Sequence, residues 1–198
     1  MLNNDLKIEK KEITEFKVIP KNIYQVELLD IKAEERPTYD TRNKEDSEKI
    51  YETVLNFQFV LLAGKDGDDN LRGRNVWANF VPTSLYISNK NGKNMLYKIV
   101  EGLIGRELTQ EEEANGLTGE KLNSLIGRQC RLSVEVNEKD GKSFNKVKDC
   151  FAKETDYAKL TDDEKENATV KEKDNEDKNF NVPTATSTVD DYIQAIPF

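Results

Sequence analysis

At 198 residues, 36% apolar and 34% charged, the chain has room for one domain and a polar extension, but not for a core running through all of it. It has no histidine, and so lacks the commonest general base and the commonest metal ligand; its two cysteines, Cys130 and Cys150, are too few for a zinc site, and no cofactor is expected. The net charge of −8 is unevenly spread: residues 153–198 hold six lysines and twelve acids, leaving only −2 on residues 1–152.

In chain order, "MLNNDLKIEKKEITEF" has no apolar stretch of the kind a secretion signal needs, which leads us to expect a reducing cytoplasm. No run of 18 apolar residues is present, so no membrane span is expected. A turn at Pro20 precedes a first strand over about 23–31. The segment 32–49 that follows is too long for a mere connection; its acids nearly cancel Lys32, Arg36, Arg42 and Lys44, and it reads as a flexible loop. "YETVLNFQFVLLAG" is a second strand, closed by the turn "GKDGDDN". That turn has neither a phosphate-cradling glycine pattern nor the glutamate of a calcium loop, and Asp66, Asp68 and Asp69 read as solvated. "RNVWANFV" is a third strand.

Pro82 and Thr83 open a helical region whose clearest part is Leu96, Ile99, Val100, Leu103 and Ile104, stopped by Gly105. Thr109 and Glu112 have capping-box spacing. Two further strands, "RQCRLSVEVN" and "SFNKVKDCFA", flank Asp140-Gly141, a dipeptide suited to a type I′ turn. That turn predicts pairing of Val134 with Val147, Glu135 with Lys146, Asn137 with Phe144, Ser133 with Lys148 and Cys130 with Phe151. It sets the two cysteines on opposite faces. Three strands, a helix and two strands give a mainly β fold in the order of the five-stranded OB-fold barrel, with the helical segment between strands 3 and 4. An SH3-like barrel and an open α+β sheet are the alternatives. The domain is expected over 1–152, a disordered acidic linker over 153–188 and a docking tip over 189–198; a short helix around Tyr157 and Leu160 lying on the body is the alternative to the start of that linker.

Alternation in the third strand separates Val76, Ala78 and Phe80, read as core, from Asn75, Trp77 and Asn79. A tryptophan between two amides, preceded by Arg72 and Arg74, has the makings of a platform on which unpaired bases stack while cations meet phosphates. A bulge that shifts the parity would instead bury Trp77. Phe144, Lys146 and Lys148 share one face of the fifth strand; Arg131 on the fourth, and Arg36 and Tyr39 in the first long loop, complete the candidate contacts. No nucleophile has a recognisable base, so no catalysis is expected.

The chain closes on "DDYIQAIPF". Ile196, Pro197 and Phe198, with the acids Asp190 and Asp191 before them, resemble the C-terminal tip of bacterial and phage single-stranded-DNA-binding proteins. "VIPKNIYQVELLDI", "GRNVWANFVPTSL" and "LIGRQCRLSVEV" are similar to the body of phage-type replication proteins of this class. Tyr192, Ile193, Gln194 and Ala195 separate the acids from Ile-Pro-Phe, and Val189, Tyr192, Ile193 and Ile196 have the spacing of one helical face. The resemblance implies a non-enzymatic protein that protects single-stranded DNA in replication or recombination. It also implies a tip that recruits a polymerase, primase, helicase or recombinase. Affinity for unpaired DNA is expected to be nanomolar to micromolar and to weaken steeply with salt. The sequence is compatible with a homo-oligomer. An OB-like adaptor that binds proteins and no nucleic acid is the alternative, favoured by the near-neutral body.

Overall fold

The computed structural model describes residues 18–64, 71–90 and 92–164. The expected loop acids Asp66, Asp68 and Asp69, most of the linker and the whole 189–198 tip lie outside the described residues. The chain divides into a unit ending at Lys159 and a second beginning at Leu160. The described part of the second unit is residues 160–164, where Thr161 and Glu164 exchange capping hydrogen bonds of 2.8 and 3.3 Å.

The first unit is mainly β. Its long strands are β1 (Asn22–Pro37), β2 (Tyr51–Gly64), β3 (Asn75–Pro82), β6 (Gln129–Lys139) and β7 (Lys142–Ala152). They form one antiparallel sheet in the order β3-β2-β1-β6-β7. Those neighbours are the ones expected of an OB-like fold; the edge strands β3 and β7 come into contact, and no described ladder joins them. A small hairpin, β4 (Ile87–Ser88) and β5 (Gly92–Lys93), precedes helix α1 (Met95–Ile104). Two short helices, α2 (Gln110–Asn115) and α3 (Gly119–Asn123), lead into β6.

Local sequence chemistry accounts for these elements. Asn94 caps α1 by accepting from the Tyr97 N–H at 3.3 Å, and Gly105 ends the helix in the left-handed region at φ 75°. The buried face of α1, Leu96, Ile99, Val100 and Leu103, packs into the core with Phe57, Phe59, Leu61, Leu28 and Leu132. Each such side chain contributes roughly 1.5–3 kcal/mol by leaving water. Thr109 and Glu112 make the expected capping box at α2. Hydrogen bonds from Arg106, Lys121 and the Thr109 N–H hold the Glu112 carboxyl well below the usual carboxylate range.

The β6–β7 turn has Asp140 at φ 53° and Gly141 at φ 72°, as a type I′ turn requires. The predicted register holds from Lys139–Lys142 to Val134–Val147 and then slips at a bulge between Ser133 and Val134. Beyond it Cys130 faces Ala152, Arg131 faces Phe151 and Leu132 faces Cys150, one place from the expected pairing. The slip turns Cys150 inward, so the two cysteines are not on opposite faces. Both are buried, free and in side-chain contact, and burial pushes the Cys130 thiol up.

Gly102 is where α1 meets this strand. A Cβ built there would stand 2.4 Å from Cys150 Sγ and 3.3 Å from the Phe151 backbone N and O. Gly102→Ala is therefore expected to destabilise the protein by about 1–3 kcal/mol, although alanine favours helix. Denaturant unfolding of Gly102→Ala, alone and with Cys150→Ala, checks it: the second change should recover part of the loss.

Candidate nucleic-acid interface

The β1–β2 hairpin is longer than expected. β1 continues six residues past the predicted end at Ile31, and Ala33–Pro37 pair with Tyr51–Leu55 as an arm. The arm was hidden in the sequence because Lys32 to Glu35 are exposed on both faces, which erases apolar alternation. Its turn is not a loose loop. Buried Thr41 accepts from the Ile50 N–H at 3.0 Å and donates to the Ile50 carbonyl at 3.1 Å, and its hydroxyl meets that of Thr38 at 2.8 Å.

Register places Lys32, Glu34 and Arg36 on one face of β1, beside Asn56 and Gln58 of β2; Gln58 in turn faces Trp77 of β3. This is the face turned away from Phe57 and Phe59. Trp77 is half-buried in it, with Lys32 Nζ 5.4 Å from its ring centre. The parity read from the sequence is thus right for Trp77 and wrong for Phe80. Phe80 is 53% exposed, not core, with backbone φ 58°. The cause is a bulge: Leu55 faces Val81 and Phe57 faces Ala78, so two residues of β3, Asn79 and Phe80, oppose Asn56 alone. Ala78 and Val81 both belong to the core, and an odd spacing between two inward residues forces both intervening side chains off the core face. The Arg36 guanidinium lies 4.2 Å from the Phe80 ring centre. At the end of the arm, Arg42 lies 4.2 Å from the ring of Tyr39, which is exposed. Three rings, each faced by a cation, thus line β3 and the β1–β2 arm, a geometry in which ring faces and positive charge are offered together.

Lys32, Arg42 and Phe80 were not among the expected site residues. The odd Ala78–Val81 spacing was the available signal for Phe80. Asn75 and Asn79 flank Trp77 as expected, with Asn79 exposed. Phe144, Lys146 and Lys148 are exposed on β7. The hairpin tip near Phe144 extends beyond Asn22, where β1 begins, whereas the arm extends from the other end of β1.

The remaining expected phosphate contacts are engaged elsewhere. Arg74 is half-buried, and burial pushes its guanidinium below its ordinary range. Arg72 donates to the carbonyls of Ala158 and Lys159, at 3.1 Å each, and Arg131 binds the Ala152 carbonyl at 2.9 Å and the Glu154 carboxylate. These bonds belong to a strap. Residues 153–159, placed in the linker by composition, run along the sheet within the first unit. Gln129 clamps Tyr157 at both backbone atoms, donating to its carbonyl at 2.8 Å and accepting from its N–H at 3.0 Å. Residues 153–159 therefore belong with the sheet, and not to the linker that composition places after Ala152.

No protein-family model and no curated protein matches the chain.

Proposed function

We propose that the chain is a non-enzymatic single-stranded-DNA-binding protein of replication or recombination. Unpaired bases stack on Trp77 and Phe80, and on Tyr39 at the end of the arm, while Lys32, Arg36 and Arg42 meet the phosphates. The observation that carries this reading is the pairing of Trp77 with Lys32 and of Phe80 with Arg36 on the β1–β2–β3 surface, with a third ring–cation pair, Tyr39 and Arg42, at the end of the arm. Isolated surface aromatics are common, but three rings each partnered by a cation supply both halves of what a single strand presents, π-faces and a regular row of charge. A duplex hides its base faces, so the same strip discriminates against it.

In this reading the acidic tail, with its Ile196-Pro197-Phe198 segment, recruits a replication or recombination partner. Phe198 enters an apolar pocket of that partner, and basic groups there hold Asp190 and Asp191.

Titration with single- and double-stranded oligonucleotides, following Trp77 fluorescence, is the test. Quenching by single strands that is lost as salt rises is expected. Absence of both quenching and salt-sensitive retention would overturn the proposal in favour of a protein-binding adaptor.

A further inference from the structure

We infer that Asn56 is a positioning residue for the interface, holding Phe80 in the strained backbone that presents its ring to a stacked base; the inference rests on the single-strand reading above. The spacing of Ala78 and Val81 demands a bulge but does not say which of its two residues departs from β geometry. Asparagine tolerates the left-handed region far better than phenylalanine, and Asn79 is available. Yet Phe80 is the residue at φ 58°, a conformation strained for any residue with a Cβ. Such strain persists only where neighbours over-determine it.

Asn56 is the neighbour that does so here. It stands alone opposite the bulge, where the ladder between β2 and β3 skips a pair. Its Oδ1 accepts the Phe80 N–H at 2.9 Å, replacing the lost ladder bond. Its Nδ2 donates to Glu34 Oε2 at 2.8 Å, which fixes the amide's orientation and ties it to β1 between Lys32 and Arg36. One carboxamide thus couples the strand that carries the cations to the residue that carries the ring. Phe80 is not a core residue, and Arg36 meets its ring on the outward face.

Three variants test this in the full chain. Asn56→Ala removes both bonds. Asn56→Asp with Glu34→Gln keeps an acceptor for the Phe80 N–H, restores the bond to residue 34 with donor and acceptor exchanged, and leaves net charge unchanged. Phe80→Ala removes the ring. Amide hydrogen exchange at Phe80 should be slow in the wild type and in the exchanged pair, and about tenfold faster or more in Asn56→Ala, as an unprotected amide would be. Binding of an oligothymidylate should weaken about three- to tenfold in Asn56→Ala, less than the loss of a whole stacking contact because the ring is displaced and not removed, with the salt dependence unchanged. The exchanged pair should recover it, and Asn56→Ala should add nothing to Phe80→Ala.

Unchanged Phe80 exchange in Asn56→Ala, or an equal loss of affinity with and without Phe80, would overturn the positioning role. If the wild type binds no single strand, the proposed function falls, and the exchange measurement alone still decides what Asn56 does.

Discussion

Trp77→Ala is expected to weaken binding of a labelled oligothymidylate by about ten- to a hundredfold, the range of one base–aromatic contact, while the slope of log K against log salt stays unchanged. The ring gives up a stacking surface and no charge. Lys32→Gln and Arg36→Gln should behave in the opposite way. Each removes one cation from the strip and should lower the salt slope by about 0.7, the release expected per phosphate on a single strand. Their effect on affinity should shrink as salt rises. Fluorescence anisotropy of the labelled strand reads all three variants, including the one without tryptophan.

Arg72→Gln and Arg131→Gln separate this interface from the one that composition alone implies. Arg72 precedes β3 and Arg131 lies on β6, positions that suit phosphate contacts, but they hydrogen-bond to Ala152, Glu154, Ala158 and Lys159. Substituting them should leave the salt slope where it was and lower the unfolding midpoint instead. A drop in slope of about 0.7 for either would move the phosphate track to that end of the sheet. Equal slopes in Lys32→Gln and the wild type would remove Lys32 from it.

The parts of this fold legible in the sequence are those where one residue type has one local job. Asp140-Gly141 sets the hairpin, Thr109 and Glu112 cap α2, and Gly105 stops α1; the alternation of Phe57, Phe59 and Leu61 marks a buried strand face. What periodicity missed are the bulges. Alternation assumes a period of two throughout, and a single extra residue reverses every assignment after it. That error put Phe80 in the core and separated Cys130 from Cys150; both corrections follow from the ladder registers, and only the first has a local signal, the odd spacing of Ala78 and Val81. The arm and the strap were missed for a different reason. Both are polar segments ordered by hydrogen bonds to distant residues, Thr41 to Ile50 and Gln129 to Tyr157, so composition reads them as solvated chain.

The strap makes the second large prediction. Gln25 and Gln129 are buried on the face of the sheet opposite the main core, where Val60 and Leu62 of β2 also have no exposed surface. Gln25 donates to Gln129 Oε1 at 3.1 Å and reaches the Thr155 carbonyl at 3.4 Å, so the two glutamines and the strap form one hydrogen-bonded set. Gln129→Met keeps the volume of the side chain and removes every one of its bonds. The exposed Tyr157 loses two hydrogen bonds, worth about 0.5–1.5 kcal/mol each, and the buried Gln25 amide loses its closest partner, at a cost of about 1–3 kcal/mol. A total loss of about 2–4 kcal/mol is expected, which for a body of this size lowers the thermal midpoint by about 5–12 °C. The same change should free the strap locally. Trypsin should cut at Lys153 and Lys159 in Gln129→Met under conditions where the wild type resists, because Lys159 is held in the wild type by its own bond to the Gly127 carbonyl at 2.8 Å. Single-strand affinity should stay within about threefold of wild type when measured well below the midpoint, since the rings and cations of the strip lie on β1 beyond Asp30, on β3 and in the arm turn, away from Gln129, which pairs with Glu27. A variant that keeps both its midpoint and its resistance to trypsin would show that the strap contributes nothing to the body. One that loses affinity in parallel with the released strap would place residues 153–159 in the binding surface itself.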